Sequence, residues 1–297
     1  MAPDADLYLA YYDGGDVSFA NAVNWLLSQG VQIISHSAGG SVGPMDGSES
    51  DALIVDQVTA QNILWVNASG NEAGNHYRGV FTDTNGDGWH EFPNGTNFMG
   101  IIAGPGGAAA YLNWDDWTQL TQDYDLYMFD GQGTLIGASE EMQNGGAGQW
   151  AAEAVGDYSL PEDSTVYVGI KAANATRAVT FDLFAEGYGI EFPVADHSIT
   201  RPGDAFTSFT IGAVEGLNNE LADYSSQGPT NDGRLKPEIS APAGVMTASY
   251  SPEAFHGTSA STPHVSGAAA LVWSAHPEFT AEQVKQYLIQ NAIDLRA

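Results

Sequence analysis

The sequence predicts an α/β protein built on a parallel sheet and interrupted by an inserted all-β sandwich. Three observations carry this. Up to about residue 75, short apolar runs alternate with stretches of helical periodicity, the pattern of a parallel sheet. From Tyr77 helical periodicity vanishes until about residue 217, and short alternating strands recur between Gly, Asn and Asp turns. Helical and buried-strand patterns then resume, so the β region interrupts the first domain and does not follow it. The expected boundaries are 1–75 and 204–297 for the α/β domain and 76–203 for the sandwich.

In chain order, residues 7–12 read as a buried strand ended by Asp13-Gly14-Gly15. A helix follows, capped by Asp16 or Ser18, with Phe19, Ala22, Val23, Leu26 and Leu27 inward and Gly30 as its stop. Residues 31–35 form a short buried strand that runs into Ser37-Ala38-Gly39-Gly40. Residues 50–60 form a second helix, and 63–68 a strand that ends at Ser69-Gly70-Asn71-Glu72. Chemistry in such sheets gathers beyond the carboxyl ends of the strands, where both Gly-containing ends fall. The insert offers strands at 99–103, 109–114, 124–129, 135–137, 165–170 and 179–184. After it, residues 209–214 return as a buried strand. The apolar run 268–273 continues as an interior helix that Pro263 opens, since a missing N–H costs nothing in a first turn. The last helix starts at a capping box, Thr280 to Gln283, and buries Val284, Tyr287 and Leu288.

Charge and composition narrow the functions. Thirty-seven acidic residues against eight basic ones give a net charge of −29. That balance repels nucleic acid and anionic membranes. The acidic residues are spread along the chain, and only Lys171, Lys236 and Lys285 are lysines. Such a surface suits high salt, which screens self-repulsion, or alternatively a secreted protein partly neutralised by calcium. The absence of cysteine excludes disulfides and thiol chemistry. No apolar run reaches eighteen residues, so no membrane span is expected, and residues 1–6 lack the features of a signal peptide.

The densest motif is Gly257-Thr258-Ser259-Ala260-Ser261-Thr262-Pro263-His264-Val265-Ser266-Gly267. It brings a serine to the start of a helix, where unpaired N–H groups and the positive dipole end favour developing negative charge. Ser259 is therefore a nucleophile or, equally on this stretch alone, a helix cap. All eleven positions resemble the nucleophile motif of subtilisin-like serine peptidases. The resemblance implies a parallel sheet with helices on both faces, Ser259 as nucleophile, and His264 as a structural histidine. Further stretches resemble the same family. Residues 2–8 look like the segment that follows the family's catalytic histidine helix. Ser37, Ala38, Gly39 and Gly40 look like the rim of its substrate pocket, and Asn71 falls on its oxyanion asparagine. Residues 223–229 and 236–242 look like loops that precede the nucleophile.

The resemblance thus implies a serine hydrolase, acting on peptide or ester bonds, secreted in its full form and adapted to salt. The oxyanion donors would be the Ser259 backbone N–H and the Asn71 amide; on the residues alone, Asn71 is also a common turn residue. The family's catalytic aspartate and histidine lie upstream of the Ala2-Pro3-Asp4-Ala5 segment, where this chain begins. His256 and His36 are the candidate substitute bases, each with a local packing role as the plainer assignment. The missing strand is expected to leave apolar sheet surface exposed, favouring a homo-oligomer or a complementing N-terminal segment as partner. An ester-only activity, or an inactive fragment or binding module, is the alternative. Finally, Asp83, Asn85, Asp87 and Glu91 are spaced like a calcium loop or an Asx-rich turn, with Asn94 where a calcium loop carries Glu. Calcium, if held, is structural. Asp115, Asp116, Asp123, Asp125 and Asp130 read as solvated surface.

Overall fold

The computed structural model describes residues 2–215 and 220–295. In chain order it contains α1 (Asp16–Ser28), β1 (Ile33–His36), α2 (Ser50–Thr59), β2 (Leu64–Ala68), β3 (His76–Val80), β4 (Met99–Ile102), β5 (Ala108–Trp114), β6 (Asp123–Phe129), β7 (Leu135–Ser139) and β8 (Ala152–Asp157). There follow β9 (Thr165–Asn174), β10 (Thr180–Glu186), β11 (Gly189–Ile190), β12 (Phe209–Glu215), β13 (Glu220–Leu221), β14 (Ile239–Ala243), β15 (Val245–Met246), β16 (Ala254–Phe255), α3 (Thr258–Ala275) and α4 (Ala281–Gln290). The chain divides into one unit of residues 1–40, 45–71 and 199–297 and another of 41–44 and 72–198.

In the first unit β1, β2, β12 and β14 run parallel, and β13 pairs antiparallel with β12. The period-two alternation of a strand sorts its side chains between faces. Ile34 and Trp65 pack with Phe19, Val23, Ala52 and Val55 of α1 and α2. Leu64 and Val66 pack with Val265, Ala269, Ala281 and Val284 of α3 and α4. Helices therefore cover both faces. Each such buried Leu, Ile, Val or Phe contributes about 1.5–3 kcal/mol.

Local expectations fail in three places. Residues 7–12 form no regular secondary structure and join no sheet, and Leu7, Leu9 and Tyr11 are 91%, 93% and 87% exposed. Alternation alone cannot make a strand without a partner to take its hydrogen bonds. The N-cap of α1 is Gly15, not Asp16 or Ser18; Asp13 accepts from the Gly15 N–H, and the Ser18 hydroxyl bonds back to Asp13. Helix α3 begins at Thr258, five residues before Pro263, and its run 268–273 is not interior: Ala269 is buried but Leu271 is half exposed. In α4 the capping box of Thr280 and Gln283 forms, and Ala281, Val284 and Lys285 are buried while Tyr287 stays partly exposed.

In the second unit two antiparallel sheets, β3-β10-β5-β8 and β11-β4-β9-β6-β7, feed one core. Leu112, Trp114 and Phe181 come from the first sheet and Ile101, Leu126, Met128 and Val168 from the second. Asp182 lies inside this unit between His76 Nε2 at 3.0 Å and the Arg78 guanidinium at 2.5 Å. Burial pushes its carboxyl up, but the partners outweigh that and hold it below the usual range.

Candidate active site

Two strand ends and one helix start meet in the first unit: Ser37 just after β1, Asn71 beyond β2, and Ser259 in the first turn of α3. Gly70 makes the approach possible. Its φ is +108°, and a Cβ there would lie 2.7 Å from Ser226 Oγ. Only glycine tolerates both the backbone angle and the closeness. Gly257, the N-cap of α3, also has positive φ, +92°.

Asn71 is fixed by Thr258. Its Oδ1 accepts from the Thr258 backbone N–H at 2.9 Å and from the Thr258 hydroxyl at 3.1 Å. Two donors on one side settle the orientation of the amide, because Oδ1 must face them and the NH2 group must face away. The Ser259 backbone N–H lies in the first helical turn, where amides have no intrahelical acceptor. The site therefore offers an oriented side-chain donor and a backbone donor beside one hydroxyl.

That hydroxyl donates to the Ser37 carbonyl at 3.0 Å, and the Ser37 hydroxyl donates to the Ser259 carbonyl at 3.1 Å. Ser37 is thus tied to the nucleophile itself. Of the other expected rim residues, Gly40 forms a bridge with Arg201, its N–H donating to the Arg201 carbonyl at 2.8 Å. Gly39 lies against Thr200 so closely that a Cβ would collide with the Thr200 side chain. Ala38 sits between these anchored neighbours on exposed backbone.

Neither candidate base is brought to Ser259. His36 is enclosed, with Nδ1 2.8 Å from Asn67 Oδ1 and Nε2 2.9 Å from the Tyr12 hydroxyl. Burial lowers its basicity. Both ring nitrogens are occupied by packing partners, so His36 is a core histidine. His256 is 55% exposed and directs Nδ1 to Glu215 at 3.2 Å. Glu215 also accepts from the Tyr224 hydroxyl at 2.7 Å, and Tyr224 in turn accepts from the Gly257 N–H at 3.0 Å. This chain holds the loop before the nucleophile. The Tyr224 bond holds the Glu215 carboxyl below its usual range; burial pushes the Tyr224 phenol up to about 12. His264 Nδ1 bonds the Ala260 carbonyl one turn back at 2.8 Å, a structural role.

The loop at Asp83, Asn85, Asp87 and Glu91 satisfies itself. Asp83 accepts from the N–H groups of Gly86, Asp87 and Gly88, and Asp87 from that of Trp89. Asn85 and, from just beyond the loop, Asn97 donate to Asp87, and Glu91 accepts from Thr84. Among the described residues no group of three or more His, Asp or Glu is arranged to hold a metal ion. These are the bonds of an Asx-rich turn.

Sequence reasoning missed Thr258, Tyr224 and Glu215. Thr258 and Tyr224 stood inside the recognised motifs without a role of their own. Glu215, at the end of β12, carries no local signal, because its partners are 9 and 41 positions away.

The sequence model of the subtilase family matches residues 136–296, over half of the chain. The chain is 24% identical over 341 residues to the minor extracellular protease Vpr of Bacillus subtilis, covering 100% of this chain and 40% of that protein. It is 37% identical over 128 residues to bacillopeptidase F of the same organism, covering 40% of this chain and 9% of that protein. The chain thus spans well under half the length of either. Among solved structures the CspB protease of Clostridium perfringens has a similar fold, with a TM-score of 0.66 at 16% identity over 95% of this chain and 66% of that one.

Proposed function

We propose, because this chain belongs to the subtilase family, that it carries the nucleophile half of a serine peptidase active site. Ser259 Oγ attacks the carbonyl carbon of a polypeptide or ester. The Asn71 amide and the Ser259 backbone N–H then hold the oxyanion as its charge develops. The observation that carries this is the pair of hydrogen bonds that Thr258 donates to Asn71 Oδ1, which turns the amide donors away from Thr258.

A base must take the Ser259 proton, and an acid must orient that base. Among the described residues no histidine bonds Ser259 Oγ. We assign both groups to a segment outside this sequence, in the whole protein or on a partner. Residues 7–12, which join no sheet, and the outer edge of β1, which pairs with no strand among the described residues, support this, because each offers backbone groups to an added strand. A second copy of the chain is the other occupant of that edge. For the chain alone, esters are easier substrates than peptides, since a better leaving group depends less on acid and base.

Residues 76–203 are read as a sandwich module inserted in the α/β domain of 1–75 and 204–297; the two antiparallel sheets with one core support it. Secretion fits the extracellular protease named above, and among the described residues no helix is long and apolar enough to cross a membrane. The charge of −29 fits work in salt.

The test is turnover of a p-nitrophenyl ester and of casein by the chain and by Ser259→Ala. The chain is expected to cleave the ester above the variant. If both preparations behave alike, Ser259 is not a working nucleophile, and a binding role takes its place.

A further inference from the structure

We infer that Ser37 is a positioning residue for Ser259, acting through the one first-turn carbonyl that Pro263 leaves without a helical donor. In an α-helix the carbonyl of residue i accepts from the N–H of residue i+4. For Ser259 that residue is Pro263, which has no N–H. The Ser37 hydroxyl takes its place, donating to the Ser259 carbonyl at 3.1 Å, and Ser259 Oγ returns a bond to the Ser37 carbonyl at 3.0 Å. The two residues are 222 positions apart.

The neighbouring carbonyls show that this one is special. Those of Thr258 and Ala260 accept extra bonds from side chains one turn on, Thr262 Oγ1 and His264 Nδ1, both at 2.8 Å and both from within α3. The Ser259 carbonyl is served from a different element. Proline at this place lets the end of β1 grip the turn that carries the nucleophile, at a point where a helical N–H would have closed it off. Without the Ser37 hydroxyl, the Ser259 carbonyl turns to water and the first turn relaxes relative to the Asn71 donor. Small displacements of a reacting atom cost rate steeply. Ser37 is exposed, so its loss leaves no buried polar group, and the variant still folds with a lowered melting temperature.

The inference rests on the hydrolase reading of Ser259, and the experiment separates the two. The full chain is reacted with a fluorophosphonate, and phosphonylation of Ser259 is followed by intact mass over a range of probe concentrations. Ser37→Ala is expected to lower the maximal labelling rate about tenfold with the half-saturating concentration unchanged within about twofold. Ser37→Thr, which keeps a hydroxyl, restores the rate. In a Pro263→Ala background, where residue 263 gains an N–H, Ser37→Ala costs less than about twofold. An undiminished rate in Ser37→Ala, or the same loss in both backgrounds, overturns the inference. A wild-type chain that never labels overturns the nucleophile reading instead. Melting temperatures of wild type, Ser37→Ala, Pro263→Ala and the double variant then decide whether Ser37 serves this carbonyl: non-additive if it does, additive if it does not.

Discussion

The start of α3 and the loop at residues 83–91 are both turns rich in small and polar residues, and both look like sites when read in one dimension. They differ in where their hydrogen bonds go. At the start of α3 the bonds that Asn71 and Ser37 make to Thr258 and Ser259 span 187 and 222 positions, from other elements. In the loop the side-chain bonds of Asp83, Asn85, Asp87 and Glu91 reach partners only 2 to 10 positions away, Asn97 being the farthest. A polar group whose valence is filled locally has less left to give a ligand. A group held from a distance can be aimed with some of its donors spare, as Asn71 is. Long-range support, more than polar density, sets the candidate site apart.

The strongest way to break this comparison is at Asn71. Asn71→Asp keeps an acceptor for both Thr258 donors and removes the amide donor. Ester turnover should fall about 10²–10³-fold, the cost of losing this donor in subtilisin, with the melting temperature nearly unchanged. An intact rate would show that the aimed amide is not an oxyanion donor.

A smaller effect is expected at Asp204, another residue of the first unit tied at long range, accepting from the Gly47 N–H at 2.9 Å. Burial raises its carboxyl to about 6. The folded chain therefore binds a proton that the unfolded chain has lost between about pH 4 and 6. On this group's account, stability is full below pH 4 and falls as pH rises through 6. Asp204→Asn keeps the acceptor for Gly47 and should remove that slope, stabilising the chain above pH 6 by about 3 kcal/mol. Urea denaturation across pH 4–8 reads it, and an unchanged slope would refute the assignment.

Tyr224→Phe removes the acceptor of the Gly257 N–H and should cost about 1 kcal/mol of stability together with part of the ester rate. His256→Ala loses only an exposed pair with Glu215 and should change stability by less than about 0.5 kcal/mol and the ester rate by less than about twofold. A collapse of the rate in His256→Ala would make it the base after all.

The least effect is expected in the loop. Asp87→Asn should alter stability by less than about 0.5 kcal/mol, and millimolar calcium should shift the melting temperature by less than about 1 °C. Tight calcium binding by calorimetry, lost in Asp87→Asn, would erase the contrast between the two turns.

The alternation of helical and strand periods was legible because each period reflects local backbone geometry facing an apolar layer. It fixed α1, β1, α2, β2 and β12 within a few residues. It misled at 7–12, where the pattern was present but no neighbouring strand was, and at 268–273, where apolar residues remain partly exposed. The nucleophile motif was legible because its eleven positions are contiguous. The failure of His36 as a base was not, because Tyr12 and Asn67 occupy its ring nitrogens from other elements.

By itself the sequence determined the family and the α/β frame and singled out Ser259 and Asn71 as candidates, since these depend on residue type and local order. Only the tertiary structure decided which way the Asn71 amide faces, that Glu215 and Tyr224 brace the loop before Ser259, and that Ser37 replaces the donor Pro263 lacks. Hydrogen-bond partners are chosen by distance in space, and a chain that returns after 222 residues leaves no trace of that choice in its local pattern.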